Sequence, residues 1–152
     1  MIAVVIEDPG TADAVQLLGE LSSALQTITG SSGASSFDAN DVRVENARFV
    51  VARDHAGQLL GCGAFRPLGD GVAEVKRMYA RSRMPGVGSA ILAFLEGEAR
   101  HLGLTALRLE TRRINQKAVS FYERHGYARI PNYGKYAGKA EAVCFEKQLN
   151  DK

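Results

Sequence analysis

The chain has 152 residues, 45% hydrophobic and 24% charged, a composition that suits one domain with its own core and argues against wholesale disorder. Its net charge of +2 is too small for a nucleic-acid binder, and the basic residues are scattered apart from the pairs Lys76-Arg77 and Arg112-Arg113. Cys62 and Cys144 lie far apart in apolar stretches without metal-ligand spacing, and neither a leader pattern nor an apolar run near ~18 residues occurs, so we expect a cytoplasmic protein with buried thiols, no metal and no membrane contact.

Ile2 to Ile6 is rich in β-branched residues and is stopped by Asp8-Pro9-Gly10, which reads as a first strand and a turn. Thr11 stands at an N-cap position, and Ala14, Leu17, Leu18, Leu21 and Leu25 recur at helical spacing, predicting a helix to about Leu25. The small polar run from Thr29 to Ser36 has no pattern; a mobile loop is expected there, with a scaffold-held acceptor loop as the alternative. Phe37 to Val44 adds at most one short helical piece.

Phe49-Val50-Val51-Ala52 and Leu59 to Phe65 flank the turn Asp54-His55-Ala56-Gly57, and Leu68-Gly69-Asp70-Gly71 turns the next hairpin, so three antiparallel strands lead to Ala80. His55, in a turn, reads as solvated. The third strand, Val72 to Ala80, feeds the glycine turn Arg81-Ser82-Arg83-Met84-Pro85-Gly86-Val87-Gly88 and a helix opening with Ser89-Ala90-Ile91-Leu92. Such a turn is an anion site, because the first N–H groups of a helix lack intrahelical partners and point outward together.

Val87, Ile91, Leu95, Ala99 and Leu102 line one face of that helix, and Gly103 stops it. Leu104 to Glu110 alternates as a strand, and the order strand, helix, strand makes a right-handed crossover between parallel strands. Asn115 caps a helix carrying Ala118, Val119, Phe121 and Tyr122 that ends at His125-Gly126. The short strands Tyr127 to Ile130 and Ala142 to Leu149 surround the loop Pro131 to Tyr136. The sum is one α+β domain over residues 1–152, with a mixed sheet of antiparallel strands first and one βαβ unit in the middle.

Two nucleotide-binding readings fit the glycine turn poorly. Glu110 falls roughly where a ribose-binding acid would sit, but Ile91 occupies the third glycine position of a dinucleotide fingerprint and too little chain remains for a doubly wound sheet. No Gly-Lys-Ser/Thr follows, so a Walker loop fails.

Arg83-Met84-Pro85-Gly86-Val87-Gly88, set between a strand and a helix, keeps company with several other motifs in order. These are Ala73-Glu74-Val75-Lys76-Arg77-Met78-Tyr79, Leu107-Arg108-Leu109-Glu110-Thr111, Asn115-x-x-Ala118-x-x-x-Tyr122-x-x-x-Gly126-Tyr127 and Val143-Cys144-Phe145-Glu146-Lys147. Together they resemble the GNAT superfamily of acyl-CoA-dependent N-acetyltransferases, and in particular a bacterial subgroup acting on small molecules, over Phe49 to Leu149. In two respects the chain departs from the family: the turn from Ala80 to Arg83 is about two residues short, and Met84-Pro85 replaces a commoner Gly-x pair.

The resemblance implies the three-layer acyl-CoA N-acyltransferase fold, acetyl-CoA as co-substrate and direct acetyl transfer to an amine of a small molecule. A non-catalytic acyl-CoA-binding regulatory module and a protein or peptide acetyltransferase are the alternatives. By the same resemblance Arg83, Met84, Gly86, Val87, Gly88 and Ser89 hold the pyrophosphate, and pantetheine lies along Met78 and Ala80 with Asn115 and Ala118 beside it. The Met78 N–H would stabilise the thioester oxyanion, and Tyr122 would contact the cofactor and protonate the departing thiolate. Glu74 matches the glutamate that serves some members as base; four residues before Met78 on one strand, it is expected on the same face. The plainer readings are a surface carboxylate paired with Lys76 or Arg77 for Glu74, a core residue for Tyr122 and a helix cap for Asn115. Dimers are common in the family, so a homodimer is the assembly the resemblance would imply. The acceptor would be chosen by the first helix, the Ser/Gly loop and the loop Asn132 to Tyr136.

Overall fold

A computed structural model of the protein describes residues 1–34, 37–81 and 84–149. The chain runs β1 (Ile2–Ile6), α1 (Ala12–Thr29), β2 (Arg48–Asp54), β3 (Leu59–Gly69), β4 (Val72–Ala80), α2 (Val87–His101), β5 (Ala106–Arg112), α3 (Gln116–Arg124), β6 (Ala128–Ile130) and β7 (Ala142–Gln148). Short 3-10 turns lie at Ala39–Val42 and Gly134–Tyr136. The strands form one sheet in the order β1-β2-β3-β4-β5-β7-β6, antiparallel throughout except between β4 and β5. This is the mixed sheet expected, with its one parallel pair where the crossover helix α2 requires it.

Local signals set most element ends. Thr11 caps α1 by accepting from the Ala14 N–H at 3.2 Å, and Asn115 caps α3 by accepting from the Ala118 N–H at 3.2 Å. α1 continues past the expected end at Leu25 as far as Thr29. Its last buried residue is Leu21, so the apolar pattern fades before the helix does, and Gly30, at φ 81°, makes the stop. α2 begins at Val87 rather than Ser89, because Gly86 at φ 86° already turns the chain into it. β5 begins at Ala106 rather than Leu104: the Leu104 N–H closes α2 on the Ala99 carbonyl, and the Thr105 N–H joins the Gly71 carbonyl in the β3–β4 turn.

Three layers result. α1 covers one face of the sheet, its Leu17 packing with Phe49, Val51, Cys62 and Ala64. The larger core lies on the other face, where Val50, Phe65, Val75, Leu107 and Phe145 pack against α2 and α3. Beyond β5, on the α1 side, Tyr136 and Tyr133 from the β6–β7 connection cover Ala142 and Cys144. Both cysteines are buried and free, and among the described residues no helix is long and apolar enough to cross a membrane.

β4 does not keep a strict two-residue alternation. Ala64 of β3 pairs with Lys76, but Cys62 pairs with Tyr79, so β4 carries an extra residue, and Arg77 takes the left-handed conformation at φ 55°. This β-bulge reverses the facing of everything after it. Ala73, Val75 and Met78 all join the α2–α3 core, whereas Tyr79 packs with Cys62 on the α1 side. The expected placement of Glu74 and Met78 on one face is therefore wrong: Glu74 faces the α1 side and the Met78 side chain the other.

Glycines on β3 make room for the bulge. A Cβ on Gly61 would run into the backbone carbonyl of Tyr79, and one on Gly63 would lie 2.7 Å from Met78 Sδ and 2.8 Å from Ile91 Cγ2. Gly61→Ala should accordingly destabilise the fold at the upper end of the ~1–3 kcal/mol typical of overpacking. Urea unfolding measures this, and a loss below about 0.5 kcal/mol would show that β3 and β4 can separate without cost.

Candidate active site

β4 and β5 pair only from Val72 to Glu74, against Ala106 to Arg108, and then part. A cavity of about 160 Å³ occupies the gap, bounded by residues from both faces of the sheet. It brings together five of the expected residues: Glu74, Met78, Asn115, Ala118 and Tyr122. Leu21, Leu25 and Gly33 close it on the α1 side, and Tyr136 and Glu110 wall it beyond β5.

On the α2–α3 side, Gly86 caps α2 without any side-chain hydrogen bond, so no side chain of the cap competes for the first amides of the helix. Val87 is buried, and a Cβ on Gly88 would sit 3.2 Å from the Phe121 ring, so this glycine lets α2 and α3 approach closely. Met84 is half-buried against the larger core, and Ala80 is exposed at the end of β4. Arg83 lies outside the described residues, as does Ser82, and with them the shortened part of the turn.

Ser89 Oγ lies 2.8 Å from His125 Nε2, and His125 Nδ1 lies 2.7 Å from the Phe121 carbonyl oxygen. A carbonyl can only accept, which places a proton on Nδ1 and leaves Nε2 of the neutral ring to accept from the Ser89 hydroxyl. The sequence marks His125 only as the end of α3, and the pairing with Ser89 of α2 leaves no local signal. Asn115 spends its side-chain oxygen on the cap of α3 while still bordering the cavity. Tyr122 is buried edge-on to Phe121 and Tyr127, and burial raises its phenol above the ordinary value.

On the α1 side, Glu74 is fully buried rather than at the surface. Its Oε1 accepts from Arg66 Nε at 2.9 Å and its Oε2 from the Tyr133 hydroxyl at 2.7 Å. Lys76 Nζ stands off at 3.9 Å. Burial and the neighbouring Glu74 carboxylate both raise the Tyr133 phenol, so that it stays a donor. Glu110 holds Arg112 at 2.8 Å; burial nevertheless raises its carboxyl above the usual value, and burial lowers the Lys76 ammonium. Arg66 and Tyr133 were missed by the sequence reading. Arg66 was accessible, since the β3–β4 turn fixes its register opposite Glu74. Tyr133 reaches Glu74 from a distant loop and leaves no local signal.

Residues 19–127 match the profile of the acetyltransferase (GNAT) family. The chain belongs to that family. Like other GNAT proteins it is an N-acetyltransferase dependent on acetyl-CoA, and its sheet and helices form the GNAT acyl-CoA N-acyltransferase fold. An IAA acetyltransferase of Azospirillum brasilense is 31% identical over 151 residues, covering 97% of this chain and 98% of that one. A candidate acyl-CoA N-acyltransferase of Klebsiella pneumoniae superposes with a TM-score of 0.82 at 27% identity, over 98% of both chains. The GNAT acetyltransferase of Elizabethkingia anophelis with acetyl-CoA bound shares the fold at a TM-score of 0.70 and 13% identity, over 97% of both chains.

In this GNAT chain α1 is tethered to the end of β4. Glu20 accepts from Arg81 at 2.7 and 3.0 Å and from the Tyr79 hydroxyl at 3.0 Å. The Arg81 bonds, with help from Gln16 and Tyr79, hold the Glu20 carboxyl down to about 2, against an ordinary 4.5. The folded value lies below the unfolded one, so this stabilisation is complete above about 4.5 and is lost as pH falls through about 2. The stability difference between wild type and Glu20→Gln in urea should be widest at pH 7 and close as the pH is lowered toward 2. A difference constant over that range contradicts the pairing.

Proposed function

We propose that this protein, acting as one domain, moves acetyl from acetyl-CoA directly to an amine of a small-molecule acceptor, the two substrates meeting in the gap between β4 and β5. The observation that carries this reading is the bulge: Arg77 and Met78 fall between the paired positions of β3 and beyond those of β5, and both line the cavity, with Tyr122 on one side and Glu74 on the other. The cavity volume of about 160 Å³ suits a few heavy-atom groups better than a protein segment.

The pyrophosphate is held at the start of α2 by Gly86, Val87, Gly88 and Ser89 with Met84 and Arg83, where free amides and the helix dipole favour an anion. Pantetheine follows Met78 and Ala80 as an added strand, flanked by Asn115 and Ala118. The Met78 N–H donates to the oxyanion formed on attack, an interaction of ~2.7–4 kcal/mol per donor in comparable sites. Tyr122, kept protonated by burial, gives its proton to the departing CoA thiolate.

An alkylammonium must lose a proton before it attacks. Arg66 and Tyr133 hold Glu74 away from direct contact, so it takes that proton through water. Glu110 is a second reading for the base, favoured by its place in the same cavity and its raised carboxyl. No enzyme thiol is acylated: burial pushes Cys62 up to about 12 and raises Cys144 as well, which removes the thiolate.

CoA release over a broad panel of small amines tests the reaction; acetyl-CoA binding without release to any amine would defeat it. Tyr122→Phe should lower turnover by roughly 10²-fold with little change in acetyl-CoA affinity, and an unchanged rate removes the general acid. Glu74→Gln should slow the reaction most below the pKa of the acceptor. If its effect is flat across pH while that of Glu110→Gln is not, the base is Glu110.

A further inference from the structure

Both carboxylates of the cavity already hold a guanidinium, Glu74 that of Arg66 and Glu110 that of Arg112, each at 2.8 Å. The cations of the same cavity are less well matched. Lys76, with a side chain only 8% exposed, approaches no carboxylate nearer than 3.9 Å among the described residues, and that one is Glu74, which Arg66 and Tyr133 already engage. Arg77 has no carboxylate partner among the described residues. Its Nη2 donates to Ser22 Oγ at 2.7 Å, its Nη1 reaches the Ser32 carbonyl only at 3.4 Å, and its buried Nε has no partner among the described residues.

Two successive residues of a regular strand point to opposite faces. The bulge lets Lys76 and Arg77 share the α1 face instead, side by side where β4 leaves β5. A Cβ on Gly33 would lie 3.1 Å from Arg77 Nη1, so the glycine leaves room for the guanidinium, and Leu21 and Leu25 supply an apolar wall beside it. A half-buried cation without a counter-ion is costly, and an anion entering the cavity offsets that cost.

We propose that the acceptor bears a carboxylate as well as its amine, as an amino acid does, and that Lys76 and Arg77 receive the carboxylate at the bulge. This rests on amine acetylation in the same cavity. The planar fork of Arg77 suits a carboxylate, and Lys76 adds a point charge next to it. The acceptor's amine is thereby directed toward the opening where Met78 and Tyr122 lie, with the leucine wall receiving its apolar part.

The test measures binding and turnover separately on the full chain. With CoA present, calorimetry compares the proteinogenic amino acids and short ω-amino acids with their carboxamides, and with phosphoethanolamine. At least one acid should bind about tenfold or more tighter than its amide, the scale of one charged hydrogen bond. Arg77→Gln and Lys76→Met should each shrink that acid-to-amide ratio by about tenfold, and Arg77→Lys should restore part of it. The wild-type ratio alone decides the matter should a variant fail to fold, and acetyl-CoA affinity reports whether it has. Amides that bind as well as acids, no acid binding at all, or a preference for phosphoethanolamine each overturn the proposal. CoA release separates the two readings: acids that bind without being acetylated defeat acetyl transfer but leave the anion subsite, whereas equal acetylation of amines lacking a carboxylate defeats the subsite but leaves acetyl transfer.

Discussion

From Ala64 to Cys62 the strand β3 advances two positions while β4, from Lys76 to Tyr79, advances three. That extra residue governs the cavity. It turns Met78 into the α2–α3 core, puts Lys76 and Arg77 on one face, and leaves Arg77 and Met78 between the paired positions of β3 just where the parallel pair opens. A left-handed Arg77 costs conformational energy of ~1–3 kcal/mol, and it persists because the surroundings over-determine it. Gly61 and Gly63 on β3 accept the displaced backbone, Ile91 and Leu95 of α2 close over Gly63, and α1 holds the far side through Ser22.

The same molecule solves the problem of a buried carboxylate twice, for different ends. Glu96 on α2 is 8% exposed and bonds to the Tyr127 hydroxyl at 2.8 Å and to Lys147 at 3.2 Å, joining the helix to the end of the sheet. Glu74 uses a hydroxyl and a cation in the same way, through Tyr133 and Arg66. Each arrangement offsets the desolvation of a charge with charge-assisted hydrogen bonds. The difference is location: Glu96 is shut inside the helix layer, whereas Glu74 borders the cavity.

Much of this fold could be read along the chain because the informative signals were local. Thr11 and Asn115 cap the helices they precede, glycines end them, and the run of apolar residues from Val87 to Ala99 marks the buried face of α2. The bulge was not readable, since alternation presumes a regular strand and no glycine or proline marks Arg77 itself. The glycines that betray it stand on the neighbouring strand. The motif residues of the cofactor side were found through their order, yet the company Glu74 keeps was not: Tyr133 arrives from 59 positions away. A contact of that sequence separation leaves no periodicity to detect.

The position of β7 has a bearing on how the molecule assembles. It lies between β5 and β6, and among the described residues β6 pairs with no other strand. A chain still lacking β7 can build the hairpins β2 to β4 and the crossover through α2 from contacts between elements adjacent along the chain. It would meanwhile leave one edge of β5 bare and give β6 nothing to join, an exposed edge of the kind that recruits other chains. Tyr133 and Tyr136 lie in the segment that leads into β7, covering Ala142 and Cys144 of that strand. The docking of β7 and the hydrogen bond from Tyr133 to Glu74 are therefore coupled, and a chain without β7 in place would hold its cavity carboxylate without that hydroxyl.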